Sequence, residues 1–424
     1  MLRAATVAAG IGVGVGLAWL ELRRRWAHAA LCETYCLDPR AGFVLPVARA
    51  LPPPFDEWEQ IAAKLPALNR SGRLRAAVDG ASPALQSSAV ALSPAEQRRA
   101  YVLFASVAHS YVNGFSVPWE KLGEAVEATE PADEVTIPEL PSQLAVPFRA
   151  VCEALQVPCV FTATGTDLWN STALWWWQRA DDPCNFQQAI SMSGTRSENG
   201  FHATPFAIQQ VLTPLLPSLL RMPTLVEERR WWQLTRLLRR TGRALRRVRQ
   251  LLEEIPAGVD PDEFYDIYRP LLGGWAGRGL RLKGTTAADD KLVECKGPSA
   301  GQTAALILLD LVLGVRHRHE TAGFQQEMRH EYLPGPHAAL LKDMEALLVQ
   351  HGSARDAASL PEAPEALRAA HTQCLEALAG MRAVHLGIAS TYLRRTGTGT
   401  GGSDFRSMLG EAVKSTRASV VGAA

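Results

Sequence analysis

Cysteine is scarce in this chain, and the few cysteines present are not arranged for metal binding. Seven are spread over 424 residues, and no two of them form a CxxC pair. A zinc ribbon and the covalent attachment of a c-type haem both need such pairs, so neither is expected. An odd number of scattered cysteines is typical of reduced thiols in an intracellular protein rather than of a secreted disulfide scaffold.

An excess of charge of either sign is also absent. The 44 Lys and Arg residues nearly equal the 43 Asp and Glu residues, which gives a net charge of +1. Electrostatics therefore give no reason to expect a nucleic acid or an acidic polymer as a partner. With 47% hydrophobic and 21% charged residues, the composition is that of an ordinary globular protein rather than a multi-span membrane protein.

Long hydrophobic runs are confined to the N-terminus. Residues 4–20 carry no charge and are followed by the basic cluster Arg23–Arg25. This stretch is at the short end of a membrane span, and its composition is also compatible with a targeting peptide. We interpret residues 1–30 as an apolar anchor or a removable targeting segment. A cytoplasmic protein is expected, with membrane attachment through residues 4–20 or organelle targeting as alternatives.

Strand signals are missing from the remainder of the chain. No segment shows the alternation of strands and helices, or the Val- and Ile-rich runs, that a parallel sheet needs. The sequence predicts an all-α fold with a small helical domain over residues 31–147 and a large one over residues 148–424. The clearest predicted helices are Glu96–Val112, Thr224–Ile255, Thr303–Gly314, Pro336–His351, Pro364–Tyr392 and Phe405–Ala418.

Two features of these helices have an ordinary structural interpretation. His109 lies beside the apolar face of its helix, and a packed or hydrogen-bonded histidine is favoured there over a metal ligand. The helix Thr224–Ile255 carries leucines on one side and a run of arginines from Arg229 to Arg249 on the other. A solvated face is favoured for these arginines, while binding of phosphates or an anionic membrane stays open.

The helix Pro364–Tyr392 places His385 within an apolar stripe. A lone histidine in such a stripe is more often a core residue than a metal ligand. Arg382, one turn earlier, strengthens the ligand interpretation, because a cation beside a neutral imidazole suits a haem with its propionates. In a neighbouring apolar helix, the carboxylate of Asp310 needs a cationic partner or a shifted pKa.

Three further segments combine turns with polar or aromatic residues. Gly399–Asp404 precedes a helix and can present backbone N–H groups to an anion or form a mobile lid, although it lacks the lysine of a phosphate-binding loop. Gly297–Gln302 is a small-residue turn before the helix of Asp310. In Pro261–Trp275, a helical face that includes Phe264 brings Arg269 close.

Taken in order, these segments resemble the indoleamine 2,3-dioxygenase family. The resemblance covers nearly the whole chain except about the first thirty residues. Its specificity lies in the combination, because each segment alone is common. The similar segments are Gly42–Pro46, His109–Tyr111, Phe264–Trp275, Ser299–Gln302, Tyr332–Pro334, Arg382–Tyr392 and Gly399–Asp404.

The resemblance implies a set of site residues around a haem. His385 matches the axial ligand of the iron, and Asp310 and Arg382 match a polar network beneath the haem. Arg269 matches the residue that binds the substrate carboxylate. The other matches are aromatic residues, pocket-wall residues and a closing loop, namely Phe201, Phe264, Ser299, Ala300, Thr400 and Gly401.

The same resemblance implies the reaction. A haem b enzyme with O2 as co-substrate would open the C2–C3 bond of the indole of L-tryptophan or a related indoleamine, giving an N-formylkynurenine-type product. We expect residues 148–424 to form the haem-binding catalytic domain of a monomer. Two alternatives stay open: a non-catalytic haem-binding or sensor paralogue, and a membrane-tethered helical scaffold that uses the basic helix.

Two positions depart from the family pattern. Pro205 occupies the position of a family serine, and proline supplies neither a hydroxyl nor an N–H group. We expect the neighbouring Thr204 to point away from the pocket. Trp169 occupies the position of a family tyrosine and, with Trp175–Trp177, is expected to narrow or reshape the indole pocket.

Overall fold

A computed structural model describes residues 29–82, 89, 91–122, 137–171, 186–285, 292–393, 395–402 and 404–422. The N-terminal segment at residues 4–20 and the tryptophans Trp175–Trp177 lie outside these described residues. Within them, no helix combines the length and the apolar composition that crossing a bilayer requires.

Helices make up nearly all of the regular structure described. The α-helices are α1 Asp56–Ala63, α2 Leu65–Arg70, α3 Leu74–Asp79, α4 Pro94–Asn113, α5 Ser142–Leu155, α6 Arg196–Leu212, α7 Leu216–Leu219, α8 Met222–Glu227, α9 Trp231–Glu253, α10 Ile255–Gly258, α11 Pro261–Glu263, α12 Arg269–Leu271, α13 Ala304–Leu313, α14 His319–Glu327, α15 Gly335–His351, α16 Ala354–Ser359, α17 Glu365–Tyr392 and α18 Phe405–Ala418. The 3-10 turns are Gly114–Ser116, Trp119–Leu122, Thr213–Leu215 and Ala300–Gln302. The π-helical turns are Thr164–Trp169, Phe264–Tyr268 and Met328–Tyr332.

The described residues contain one pair of short strands, and it does not alter the predicted fold class. β1 (Glu139–Leu140) and β2 (Arg281–Leu282) are parallel, and Glu139 pairs with Arg281. The prediction of an all-α fold is therefore confirmed. The division into two domains stays a prediction, and its boundary at residues 147 and 148 lies within α5, a helix that packs on α4.

The N-terminal half of the described chain is organised around α4. This helix begins with a capping box, in which the Ser93 and Glu96 side chains each bond to the other residue's backbone N–H group. His109 on α4 is fully buried: its Nδ1 lies 2.9 Å from the carbonyl oxygen of Leu271, and its Nε2 accepts the backbone N–H of Phe161. The prediction of a hydrogen-bonded structural histidine is confirmed.

The predicted helix Thr224–Ile255 is wrong as a single element, because α8 ends at Glu227 and α9 begins at Trp231. Arg229 adopts a left-handed conformation with φ of 52°. The backbone N–H of Arg230 then bonds to the carbonyl of Leu225, and that of Arg229 to Val226, which is a Schellman ending. An arginine in the position that usually takes glycine hides this helix end from the sequence.

The two longest described helices, α9 and α17, pack along each other, and α18 also packs on α17. The apolar face of α9, including Leu238, Leu245 and Val248, is buried, while arginines such as Arg239 and Arg243 are exposed. This arrangement is the solvated basic face that the sequence favours. The helix α17 thus packs against both α9 and α18.

A buried ion pair fixes α17 against α13. Both Oδ atoms of Asp310 on α13 lie 2.6 Å from an Nη of Arg382 on α17, and Arg382 also donates to Thr416 on α18. His317 and Gln325 complete the shell of the carboxylate, each at 2.9 Å. Burial raises the pKa of Asp310, but Arg382 and His317 outweigh this effect, and the pKa falls to about 2.

Asp310→Asn tests the energetic weight of this ion pair. We expect it to lower the free energy of unfolding at neutral pH by roughly 2–4 kcal/mol, because Arg382 stays buried without a carboxylate. The folded-state pKa of Asp310 lies below its ordinary value of 3.8, so its contribution is complete above that value and is lost as pH falls towards about 2. Urea unfolding of both proteins at several pH values measures how the difference between their free energies of unfolding decreases in acid.

Glu153→Gln is the control, since it breaks an exposed i,i+4 ion pair with Arg149. We expect it to change the free energy of unfolding by less than about 0.5 kcal/mol. An equal loss of unfolding free energy in the two variants would contradict the role assigned to Asp310. So would a difference between wild type and Asp310→Asn that does not decrease in acid.

Candidate functional site

A cavity lies between two walls of different chemistry. One wall is formed by α9, α17 and α18 and is mainly apolar, with Leu252, Met381 and Met408 among its side chains. The opposite wall is formed by α6, two π-helical turns and the segment from Pro298 to Ala304, and it carries hydroxyl, carboxylate and aromatic groups. Such a cavity can hold a flat apolar group on one side and a polar aromatic molecule on the other.

His385 lines the cavity from α17. Its imidazole makes no hydrogen bond to any residue that the structure describes. Burial, and then the charge of Arg382, lower the pKa of His385 to about 4, so the ring is neutral at physiological pH. A neutral imidazole without a partner in an apolar cavity has its lone pair available for a metal ion.

The side chains near His385 suit a haem better than a bare ion. No group of three or more His, Cys, Asp or Glu side chains in the described residues could hold a metal ion. An iron at His385 would therefore need most of its ligands from a cofactor such as a porphyrin. The apolar wall of α9, α17 and α18 matches the face of that cofactor, so the residues present fit haem.

Arg382 and Asp310 support this wall from behind. Neither of them lines the cavity, and the guanidinium of Arg382 is directed at Asp310 and Thr416. The structure thus brings the two predicted residues together as a pair that holds α17, one turn from His385. It does not place Arg382 at the cavity surface, where the sequence predicts a cation beside the propionates of a haem.

The opposite wall contains the predicted aromatic residues. Phe201 and Phe264 both line the cavity, and their ring centroids are 4.7 Å apart. Tyr392 of α17 packs edge-on against Phe264 at 5.7 Å. The three rings form a continuous aromatic surface that can pack on a planar ligand.

Ser299, Ala300, Thr400 and Gly401 also line the cavity, as the resemblance implies. The Thr400 hydroxyl donates to the carbonyl of Pro298 at 2.6 Å and ties the two segments together. A Cβ on Gly301 would lie 2.4 Å from a ring atom of Phe324, so this approach requires glycine. Gly399, Thr400 and Gly401 of the glycine-rich loop therefore form part of the cavity lining.

Arg269 lies beside this loop but does not line the cavity. One Nη of its guanidinium donates to the carbonyl of Thr398 at 3.0 Å, and its Nε is buried without a hydrogen-bond partner in the described structure. Burial lowers the pKa of Arg269. Arg269 therefore has hydrogen-bonding capacity that the described residues do not use.

The expectations for Thr204 and Trp169 are wrong. Thr204 lines the cavity together with Pro205, because residues 201, 204, 205 and 208 fall on one face of α6 at helical spacing. Trp169 is buried against Tyr101, with ring centroids 5.5 Å apart, and does not line the cavity. Thr204 can thus supply a hydroxyl one residue away from the missing serine.

Several residues at the cavity escape the sequence reasoning. Asp167 lines it, and a hydrogen-bonded chain connects Asp167 through His202 to Tyr268. His337 lines it as well, with its Nε2 3.2 Å from the carbonyl oxygen of Cys36. These residues are far apart in sequence. The available sequence signal is that His202 follows Phe201 and Tyr268 precedes Arg269, two residues that the resemblance places in the site.

Comparison with known proteins agrees with this geometry. The family model for indoleamine 2,3-dioxygenase matches residues 31–399. A 6-hydroxytryptophan 2,3-dioxygenase of Fusarium equiseti is 28% identical over 404 residues, which cover 92% of each chain. Indoleamine 2,3-dioxygenase 2 of Homo sapiens is 29% identical, covering 85% of this chain and 83% of the relative. The chain therefore belongs to the indoleamine 2,3-dioxygenase family of haem-dependent, tryptophan-type dioxygenases.

Proposed function

We propose that this chain binds haem b through His385 and uses O2 to open the C2–C3 bond of the indole of L-tryptophan or a related indoleamine. The product is an N-formylkynurenine-type compound. The observation that carries the proposal is a neutral imidazole that lines an apolar cavity and has no hydrogen-bond partner among the described residues. The similarity to a relative named for 6-hydroxytryptophan extends the substrate class to ring-hydroxylated tryptophans.

His385 holds the cofactor, and the cavity walls provide its surroundings. When bound, haem supplies the redox-active iron at which dioxygen is activated. The apolar side chains of α9, α17 and α18 pack on the ring system and exclude water from it. The ion pair between Asp310 and Arg382 keeps α17, and with it His385, in register.

The opposite wall orients the substrate. Phe201 and Phe264 pack against the indole, while Thr204 supplies a hydroxyl beside the position of Pro205. Arg269 binds the substrate carboxylate through its free Nε and an Nη, exchanging its contact with Thr398 for a bidentate pair. Holding the ring and the carboxylate at two separate points fixes the reacting bond with respect to the iron.

The loop Gly399–Gly401 closes the cavity over the amino-acid end of the substrate. Thr400 anchors this loop to Pro298, next to the lining residues Ser299 and Ala300. Arg395 ties the preceding segment to Asp262 and Asp266 at 2.7 and 2.6 Å. Closure at this end excludes water while the ring is oxidised.

His385→Ala tests the cofactor assignment. We expect the purified variant to lose the Soret band and all turnover of tryptophan, because no other imidazole of the cavity replaces the lost ligand. Absorption spectra of the reduced protein with carbon monoxide, together with absorbance of the formylated product, measure both properties. His337→Ala is the matched control, since His337 also lines the cavity but is directed at Cys36, and it should retain haem.

Two outcomes would change the assignment. Full haem content in His385→Ala would remove His385 as the ligand. Haem without product in the wild-type protein would instead identify a non-catalytic haem-binding protein, and a colourless wild-type protein after reconstitution would favour a helical scaffold.

Arg269→Ala tests the carboxylate contact. We expect haem content to stay intact and the KM for tryptophan to rise by roughly 10- to 100-fold, as expected for the loss of a charge-assisted hydrogen bond. Arg269→Lys keeps the charge without the planar fork and should fall between the two proteins. A KM that is equal in all three proteins would exclude Arg269 from the site.

A further inference from the structure

We propose that Asp167, held by His202 and Tyr268, is a specificity-determining residue that accepts a hydrogen bond from a donor on the indole ring of the substrate. That donor is the ring N–H group or a ring hydroxyl. The inference rests on the proposed function, because it assigns a role in the substrate site of the same cavity.

Three side chains from separate elements form the cluster. Asp167 belongs to the π-helical turn Thr164–Trp169, His202 to α6, and Tyr268 to the π-helical turn Phe264–Tyr268. The Oδ1 of Asp167 lies 2.7 Å from Nδ1 of His202, and Nε2 of His202 contacts the Tyr268 hydroxyl. His202 and Tyr268 are each 1% exposed, so the chain of contacts is closed to solvent.

The direction of the hydrogen bonds follows from the chemistry of the three groups. A carboxylate can only accept, so Nδ1 of His202 carries the proton in this contact. The Tyr268 hydroxyl contacts Nε2 on the other side of the same ring. Burial, followed by the charges of Glu198 and Asp167, raises the pKa of Tyr268, so its hydroxyl stays protonated. His202 and Tyr268 thus hold the Asp167 side chain in place.

Asp167 keeps unused hydrogen-bonding capacity at the cavity. Its Oδ1 also accepts the Thr166 hydroxyl at 2.9 Å, whereas its Oδ2 accepts no hydrogen bond from the residues that the structure describes. Asp167 lines the cavity, and 14% of its side chain remains exposed. A carboxylate oxygen at a mainly apolar cavity surface is costly until a donor reaches it.

The position of the cluster favours the ring of the substrate over its amino group. Asp167 is joined to His202, the neighbour of Phe201, whose ring contacts His202 at 5.1 Å and Phe264 at 4.7 Å. Arg269 and the segment Thr396–Thr398, where the carboxylate binds, contact each other instead. Asp167 therefore lines the cavity beside the aromatic surface that packs on the indole.

The test compares wild-type protein with Asp167→Asn, which keeps the shape of the side chain and removes its charge. Dissociation constants come from calorimetry and from the Soret shift for L-tryptophan, 1-methyl-L-tryptophan, 6-hydroxy-L-tryptophan and indole-3-propionate. We expect the preference for a donor-bearing ring over its donor-free analogue to fall at least about tenfold in the variant, with haem content unchanged. Because the ratio of dissociation constants is compared between the two proteins, the steric effect of the added methyl group cancels.

The four ligands separate the possible donors. If the variant loses preference only between tryptophan and its 1-methyl form, the ring N–H is the donor. If it loses preference only for the 6-hydroxy form, the hydroxyl is the donor. Equal ratios in both proteins for both pairs overturn the proposal, and so does a loss that disappears with indole-3-propionate, because Asp167 would then bind the amino group.

Two further measurements complete the design. Tyr268→Phe, which removes only the far end of the chain of contacts, should shift the same ratios in the same direction by less. An unchanged ratio in Tyr268→Phe together with a changed ratio in Asp167→Asn would confine the role to Asp167 alone. Turnover of the wild-type protein is recorded separately. Absence of product would reject the proposed function, whereas the role of Asp167 is judged from the binding ratios alone.

Discussion

The buried ion pair between Asp310 and Arg382 holds α17 in place, and Arg382 lies one helical turn before His385 on that helix. The carboxylate binds the guanidinium of Arg382 through both oxygens. Burial, and then the charge of Arg382, disfavour a positive charge at His385 and keep the ring neutral. The position of His385 on α17 therefore depends on an ion pair whose residues do not line the cavity.

The cavity separates two tasks that would conflict in one environment. The wall of helices α9, α17 and α18 is mainly apolar, as a large planar cofactor requires. The wall of π-helical turns and short segments carries hydroxyl, carboxylate and aromatic groups that read a smaller molecule. The π-helical turns and short segments redirect single side chains into the cavity, and α6 adds Phe201 and Thr204.

The sequence predicts the parts of the fold that depend on periodic patterns. The helix Phe405–Ala418 has the predicted bounds, and the stripe on α17 places His385 at the cavity. The end of α8 escaped prediction because Arg229 occupies a left-handed position without glycine. The contacts of Asp167 with His202 join residues 35 positions apart, and no local pattern reports such a pairing. The position of Arg269 beside the loop depends on the π-helical turn Phe264–Tyr268, which the sequence pattern likewise does not reveal.

The π-helical turn Phe264–Tyr268 has a consequence for how such sites change in evolution. A π-helical turn contains one residue more than the α-helical turn it replaces. Removing that residue would restore an α-helical turn, and the residues after it, including Arg269, would keep nearly the same orientation relative to Phe264. The side chains inside the turn would change direction instead, and Tyr268 would lose its contact with His202. One deleted codon in this turn is therefore enough to alter the surroundings of Asp167 while the position of Arg269 is retained.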